Sequence, residues 1–288
     1  MAIYHFSTQV IGRSAGRSSV AAAAYRAGQR LLDRRTGLVH DYGRKRGAES
    51  WIEAPEGAPA WAREREELWN RVEAGERRRD AQLCREIDVA LPLELSEGRQ
   101  RELLRGFVRE QFVGRGMVAD VALHRNDPGN PHAHVMLTMR RIGSEGEGFG
   151  EKERGWNDRA LLGRWREEWA RQANRELERE GSHERIDHRS HAARGIDREP
   201  TEHEGPNVRE MEARGIFTER GAYNRGVLAR NEERRHRSRG TPRGENREIN
   251  RNDNPTAPRE PSQTLPRRGA RERERDEGRD HGPERDPF

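Results

Sequence analysis

The sequence predicts an α+β fold: an antiparallel β-sheet with flanking helices, followed by an extended C-terminal segment and a disordered tail. Three observations carry this reading. Runs such as Glu86-Ile87-Asp88-Val89 and Val118 to His124 read as strands. The turn Asn126-Asp127-Pro128-Gly129-Asn130 leads directly into His132 to Arg140, which makes that run the hairpin partner of the strand before it. Helical spacing then appears in Leu103, Leu104, Phe107 and Val108, and again in Leu161, Leu162, Trp165, Trp169 and Ala173.

In chain order, Ile3-Tyr4-His5-Phe6-Ser7 alternates as a short strand does. The loop Gly12-Arg13-Ser14-Ala15-Gly16-Arg17 follows, and Ser18 or Ser19 caps a helix expected to reach about Leu32, kept slim by Ala21 to Ala24. Residues 33–57 read as a turn-rich excursion, and 60–80 as a charged helix with Trp61 and Trp69 on its apolar side. The strand at Glu86–Val89 ends before Pro92, and Ser96 caps a helix to about Phe112. A Gly/Glu loop over 143–155 precedes the helix of 158–180. The expected organisation is one α+β domain over 1–180, an extension over 181–236 with short helices but too few hydrophobic residues for a second core, and a tail over 237–288. The tail holds 7 of the 14 prolines, with 13 Arg and 11 acids, and only Ile249, Leu265 and Phe288 as large apolar groups, too few to offset the entropy of ordering it.

Composition narrows the function classes. The chain is 37% charged and 31% hydrophobic, and no window approaches the length of apolar sequence that a membrane span needs. MAIYHFSTQV lacks the pattern of a secretory signal, and the single Cys84 excludes a disulfide framework and a Cys-rich zinc module, so the expected location is the cytoplasm. Of the 56 basic residues, 54 are Arg. Guanidinium forks grip phosphate and stack on bases, which suits nucleic acid; codon bias towards Arg accounts for the skew equally well.

The densest local signal is His124 followed by His132-Ala133-His134. Residues two apart on a strand share a face, so His132 and His134 point the same way, and the tight turn brings His124 level with them. Three imidazoles from paired strands make an open metal site with a position left for a substrate oxygen. Nitrogen ligation suits Zn, Mn, Co or Ni better than Mg, although a substrate phosphate supplies hard oxygens. Asp120 has the parity of His124 and is placed to orient it from one layer back, while Val135, Leu137 and Met139 turn to the core, leaving the histidine face wet. Glu86 and Asp88, also two apart, fit three roles: fixing the tautomer of a metal-bound histidine, accepting a proton from a nucleophile, or lining a solvated face beside Arg85. Tyr25 projects from an alanine-rich helix and is open to close approach by another chain, with Arg13, Arg17 and Arg26 nearby as candidates for phosphate. From these residues alone, a packed tyrosine and a covalent nucleophile both remain open.

Taken together, MAIYHFS, GRSAGRSSVAAAAYRAG, REIDVALP and HRNDPGNPHAHVMLTMR, in this order, resemble the MobA/MobL family of plasmid-mobilisation relaxases within the HUH endonucleases; EKERGWNDRALL and IDHRSHAARGIDREPTEHEGP extend the likeness to about residue 235. The resemblance implies a relaxase-like palm and a site- and strand-specific nickase of single-stranded DNA at an origin of transfer. Tyr25 would attack the scissile phosphate to leave a 5′-phosphotyrosyl link. His124, His132 and His134 would hold a divalent cation, Mn²⁺ or Mg²⁺, with Glu86 and Asp88 assisting the histidines or the tyrosine. It also implies relaxosome accessory proteins, a type IV coupling protein and secretion system as partners, and possible transfer into the recipient cell with the DNA. Two other readings fit parts of the sequence. A rolling-circle replication initiator shares the chemistry but generally places its tyrosine after the histidines, and a non-catalytic Arg-rich nucleic-acid binder needs only a structural metal.

Overall fold

The computed structural model describes residues 4–44, 48–143, 148–202 and 204–240. The expected tail therefore lies outside the described residues from 241 onwards. Chain contacts separate a compact unit, Met1–Asn231, from Glu232–Phe288.

At the centre of the first unit is a five-stranded, wholly antiparallel sheet: β1 (Phe6–Gly12), β5 (Gln82–Ala90), β7 (His132–Thr138), β6 (Ala119–His124) and β4 (Ala48–Glu53), in that spatial order. Both faces carry a core. On one face Ile87, Val89, Val121, Leu123, Val135 and Leu137 pack against α3 (Glu97–Gln111) and α4 (Arg159–Arg179). Edge-to-face rings, Phe107 with Trp169 and Phe112 with Trp165, both at 5.1 Å, close that layer. On the other face Ile11, Cys84, Val118 and Met136 meet α1 (Ser19–Ala27) and α2 (Arg65–Gly75). The histidine face is thus wet only at one end of the sheet, beyond the cover of α1 and α2.

Several boundaries differ from the sequence reading, each for a local reason. The first helix starts as expected, with Ser18 Oγ accepting from the Ala21 N–H, but stops at Ala27 because Gly28 adopts a left-handed φ of 62° and caps it. Leu31 and Asp33 then alternate inward along a hairpin, β2 (Arg30–Asp33) and β3 (Leu38–Asp41), rather than continuing a helix. The excursion over 33–57 also supplies β4, an edge strand with no fully buried residue, whose polar Glu49, Ser50 and Glu53 hid its pairing with β6. The expected helix over 60–80 is a short 3₁₀ turn at Ala60–Arg63 followed by α2. Trp69 is buried, whereas Trp61 stacks edge-on to Phe149 of β9 (Phe149–Lys152), a strand within the expected 143–155 loop that pairs with β8 (Arg140–Ile142) before it.

Past α4 the chain is organised by polar clamps where apolar residues are sparse. The Asn174 side chain makes two 2.8 Å hydrogen bonds with the backbone of Ile186. Asn224 and Asn231, one heptad apart on α6 (Glu219–Gly240), pin the extended backbone at Glu202 and Glu199 in the same manner. Besides α5 (Pro206–Ala213), the segment expected to hold short helices carries most of a helix of 22 residues. Tyr223 lies on that helix.

Candidate metal and nucleophile site

Sheet register assembles the histidines. His124 on β6 is directly opposite His132 on β7, and His134 sits across from both Ala122 and Asp88. The three rings lie 5.1–5.3 Å apart between centroids, and each offers a ligand atom within 4.8 Å of the others.

Each ring is anchored through one nitrogen by an oxygen acceptor. His132 Nδ1 donates to the Asn130 carbonyl at 2.8 Å, and His134 Nδ1 to Glu86 Oε1 at 2.9 Å. His124 Nε2 donates to the Arg26 carbonyl at 2.7 Å. An acceptor on one nitrogen assigns the proton there and puts the lone pair on the other, so each tautomer is set for ligation. Three convergent, pre-oriented imidazoles fit a divalent cation with coordination positions left for substrate oxygens.

Glu86 is 1% exposed and collects donors from three directions. Besides His134 it accepts from Gln9 Nε2 at 2.6 Å and from two nitrogens of the Arg26 guanidinium. Burial alone would raise its pKa, but the hydrogen bonds from His134 and Arg26 outweigh it and hold the carboxyl at about 2. Asp88 shares this face without bonding to the trio: His5 Nε2 lies 3.9 Å from Oδ2, and Oδ1 is enclosed without a hydrogen-bond partner.

Asp120 does not orient His124. Its carboxylate, 4% exposed, accepts three bonds of 2.8–3.0 Å from Arg65 and one of 2.8 Å from Trp69 Nε1. The parity was read correctly, but α2 lies over that layer and claims the carboxylate. The backbone carbonyl of Arg26 anchors His124 instead, a contact for which sequence carries no signal.

Tyr25 is 48% exposed on the last turn of α1, edge-on to Tyr42 with ring centroids 5.2 Å apart. The next residue joins it to the histidines twice, through the Arg26 carbonyl on His124 and the Arg26 guanidinium on Glu86. The three candidate arginines are placed differently. Arg13 turns inward to the carbonyls of Glu73, Glu76 and Arg78 and the Glu73 carboxylate, and Glu73 also caps Ser19 at the start of α1. Arg26 is engaged with Glu86, and Arg17 donates to Gln9 Oε1 at 3.1 Å from the surface. Arg13 thus braces the tyrosine helix.

Residues 17–214 match the model of the MobA/MobL family. The chain belongs to that family. Within it, the mobilization protein MobL of Acidithiobacillus ferridurans is 42% identical over 247 residues, 74% of this chain and 65% of that protein. The conjugal transfer protein TraA of Rhizobium radiobacter is 37% identical over 76% of this chain, but that match spans only 23% of its own length. A solved structure described as the molecular basis of vancomycin resistance transfer in Staphylococcus aureus superposes with a TM-score of 0.62 at 31% identity, covering 66% of this chain and all of its own. The MobA/MobL match takes in Tyr25, Glu86, Asp88 and all three histidines, while Arg13 precedes it.

Proposed function

We propose that this protein is a relaxase that nicks and rejoins one strand of plasmid DNA at an origin of transfer, initiating mobilisation. The observation that carries the reading is the double link through Arg26, which joins the exposed Tyr25 to the anchored histidine trio. Tyr25 Oη attacks the scissile phosphorus; the Oη–P bond forms, the P–O3′ bond breaks, the phenol loses its proton and the 3′ oxygen gains one. The 5′-phosphotyrosyl ester conserves one phosphodiester, so rejoining by the 3′-hydroxyl needs no ATP. His124, His132 and His134 would hold a divalent cation, Mn²⁺ or Mg²⁺. Bound there, it supplies neutralisation of charge on the phosphate oxygens. Glu86 fixes His134, and the Arg26 carbonyl fixes His124, so neither ring has to reorganise as charge develops.

Residues 1–180 form the catalytic core in this reading, 181–236 a cover over the bound strand, and 237–288 a tail. Its partners are single-stranded plasmid DNA, relaxosome accessory proteins and a type IV coupling protein, and its site of action is the bacterial cytoplasm, with transfer into the recipient alongside the DNA. No helix among the described residues is long and apolar enough to cross a membrane. The experiment incubates the protein with supercoiled DNA carrying its coding region and flanks, with Mn²⁺ or Mg²⁺, then quenches with SDS and protease and maps nicks. One strand-specific nick with a blocked 5′ end, lost with EDTA, supports the proposal; intact DNA under all conditions, including with single-stranded fragments, sinks it.

A further inference from the structure

Beside Tyr25, a cavity of about 430 Å³ opens between α1 and the β2–β3 hairpin, with Gln9 and Ile11 of β1 also in its lining, within the size range of a small-ligand site. Its α1 wall presents Ala21 and Ala22, and its hairpin wall Leu38, which is 59% exposed although apolar. Asp33 fixes the frame: its carboxylate is buried and accepts from Ser18 Oγ at 2.8 Å and from the N–H groups of Arg35 and Thr36 at 3.0 and 3.2 Å. The hairpin is therefore tied to the start of the tyrosine helix.

Two polar groups stand in the wall, one of them unsatisfied. His40 Nε2 is shut off from solvent with no hydrogen-bond partner, 4.0 Å from Asp33 Oδ2 and beyond bonding distance. An enclosed, unsatisfied ring nitrogen is unfavourable, and a small ring rotation that turns it into the cavity would let a bound base edge satisfy it. Arg17 reaches the cavity from the loop before α1 and bonds to Gln9, whose amide in turn donates to Glu86. A cationic mouth, apolar walls and one hydrogen-bonding ring suit an unpaired nucleotide.

We propose that this cavity holds one unstacked nucleotide of the DNA strand next to the scissile phosphate. The base lies between Leu38 and the alanine face of α1, the backbone phosphate meets Arg17, and His40 selects the base by its edge. The inference rests on the nickase reading for the identity of the strand, but its test does not require cleavage.

The test uses full-length protein carrying Tyr25→Phe, so that no strand is cut, and selects from a random single-stranded DNA library in Mn²⁺. The parent should enrich sequences with a preferred base at one position whose preference disappears in His40→Ala while other positions are unchanged. Leu38→Glu, an exposed substitution that replaces an apolar contact with a carboxylate facing the strand, should weaken all sequences about tenfold, the order of one lost base contact. Unchanged preference and affinity in both variants, at the parent's melting temperature, overturns the assignment, as does a parent that enriches nothing. A His40-dependent preference, where the protein with Tyr25 intact forms no DNA adduct in parallel, leaves the pocket standing and removes the nickase. An adduct with no His40-dependent preference does the reverse.

Discussion

Replacing Glu86 by Gln keeps shape and removes charge at the most crowded carboxylate of the site. Glu86 accepts from His134 at 2.9 Å, from Gln9 at 2.6 Å and from Arg26. All of these partners are donors, so a glutamine amide satisfies only those facing its oxygen and turns its own N–H groups against the rest. His134 then loses the anionic acceptor that fixes its tautomer and raises its basicity. Loss of such an outer partner typically lowers metal affinity about 10–100-fold, or about 1.4–2.8 kcal/mol. Arg26 is left partly buried without its counter-charge, which should also lower stability, by less than the ~3–5 kcal/mol of a fully buried pair. Calorimetric titration with Mn²⁺, alongside circular dichroism and a melting curve, separates the two effects. A folded Glu86→Gln protein that binds Mn²⁺ within a factor of two of the parent would refute the claim that Glu86 orients His134.

Three further outcomes follow from the same geometry. Asp120→Ala removes the partner of Arg65 and Trp69 in a buried layer and should destabilise by about 3–5 kcal/mol in denaturant unfolding. Its Mn²⁺ affinity below the melting transition should stay within twofold, whereas a tenfold loss would restore Asp120 as the group behind His124. Glu49 is held below its ordinary pKa of 4.5 by the hydrogen bond from Arg101, then by Arg125. A depressed carboxylate stabilises the fold above that ordinary value and loses the contribution as pH falls below it, so Glu49→Gln should melt lower than the parent at pH 7, with the gap closing towards pH 3. A constant gap contradicts this. Burial pushes the Cys84 thiol well above its ordinary pKa, and the residue is enclosed between β1 and β7. Reaction with a thiol reagent should stay slow from pH 7 to 9 and become fast only in denaturant. Fast labelling of the native protein is the contrary result.

Much of the site was legible because it depends on strand parity, which sequence reports well. His132-Ala133-His134 and the turn before them place three rings together with no knowledge of the rest of the chain, and Glu86 falls on the same face by the same rule. Parity does not say which helix covers which part of a face. Asp120 therefore has the parity of a histidine partner, yet its carboxylate is bound by Arg65 and Trp69 of α2. Wherever a contact runs through backbone, as between Arg26 and His124, side-chain identity carries no trace of it. Sparse apolar content misled over 181–236 for a related reason. Asparagine clamps at Asn174, Asn224 and Asn231 organise this region with few buried apolar groups, and asparagine in a sequence reads as a loop residue. Leu31 and Leu32 extend the apolar run of the first helix past Gly28, yet that glycine, a natural stop, ends it.

The most direct test of the account asks whether Tyr25 becomes bonded to DNA. A single-stranded oligonucleotide spanning the mapped nick is incubated with the protein and Mn²⁺, the SDS-stable species is digested, and its peptides are read by mass spectrometry. The account predicts a peptide containing Tyr25 that carries the 5′-phosphate of the downstream fragment, absent in Tyr25→Phe and with EDTA. An adduct on Tyr42 or another residue, or cleavage that persists undiminished in Tyr25→Phe, would contradict it.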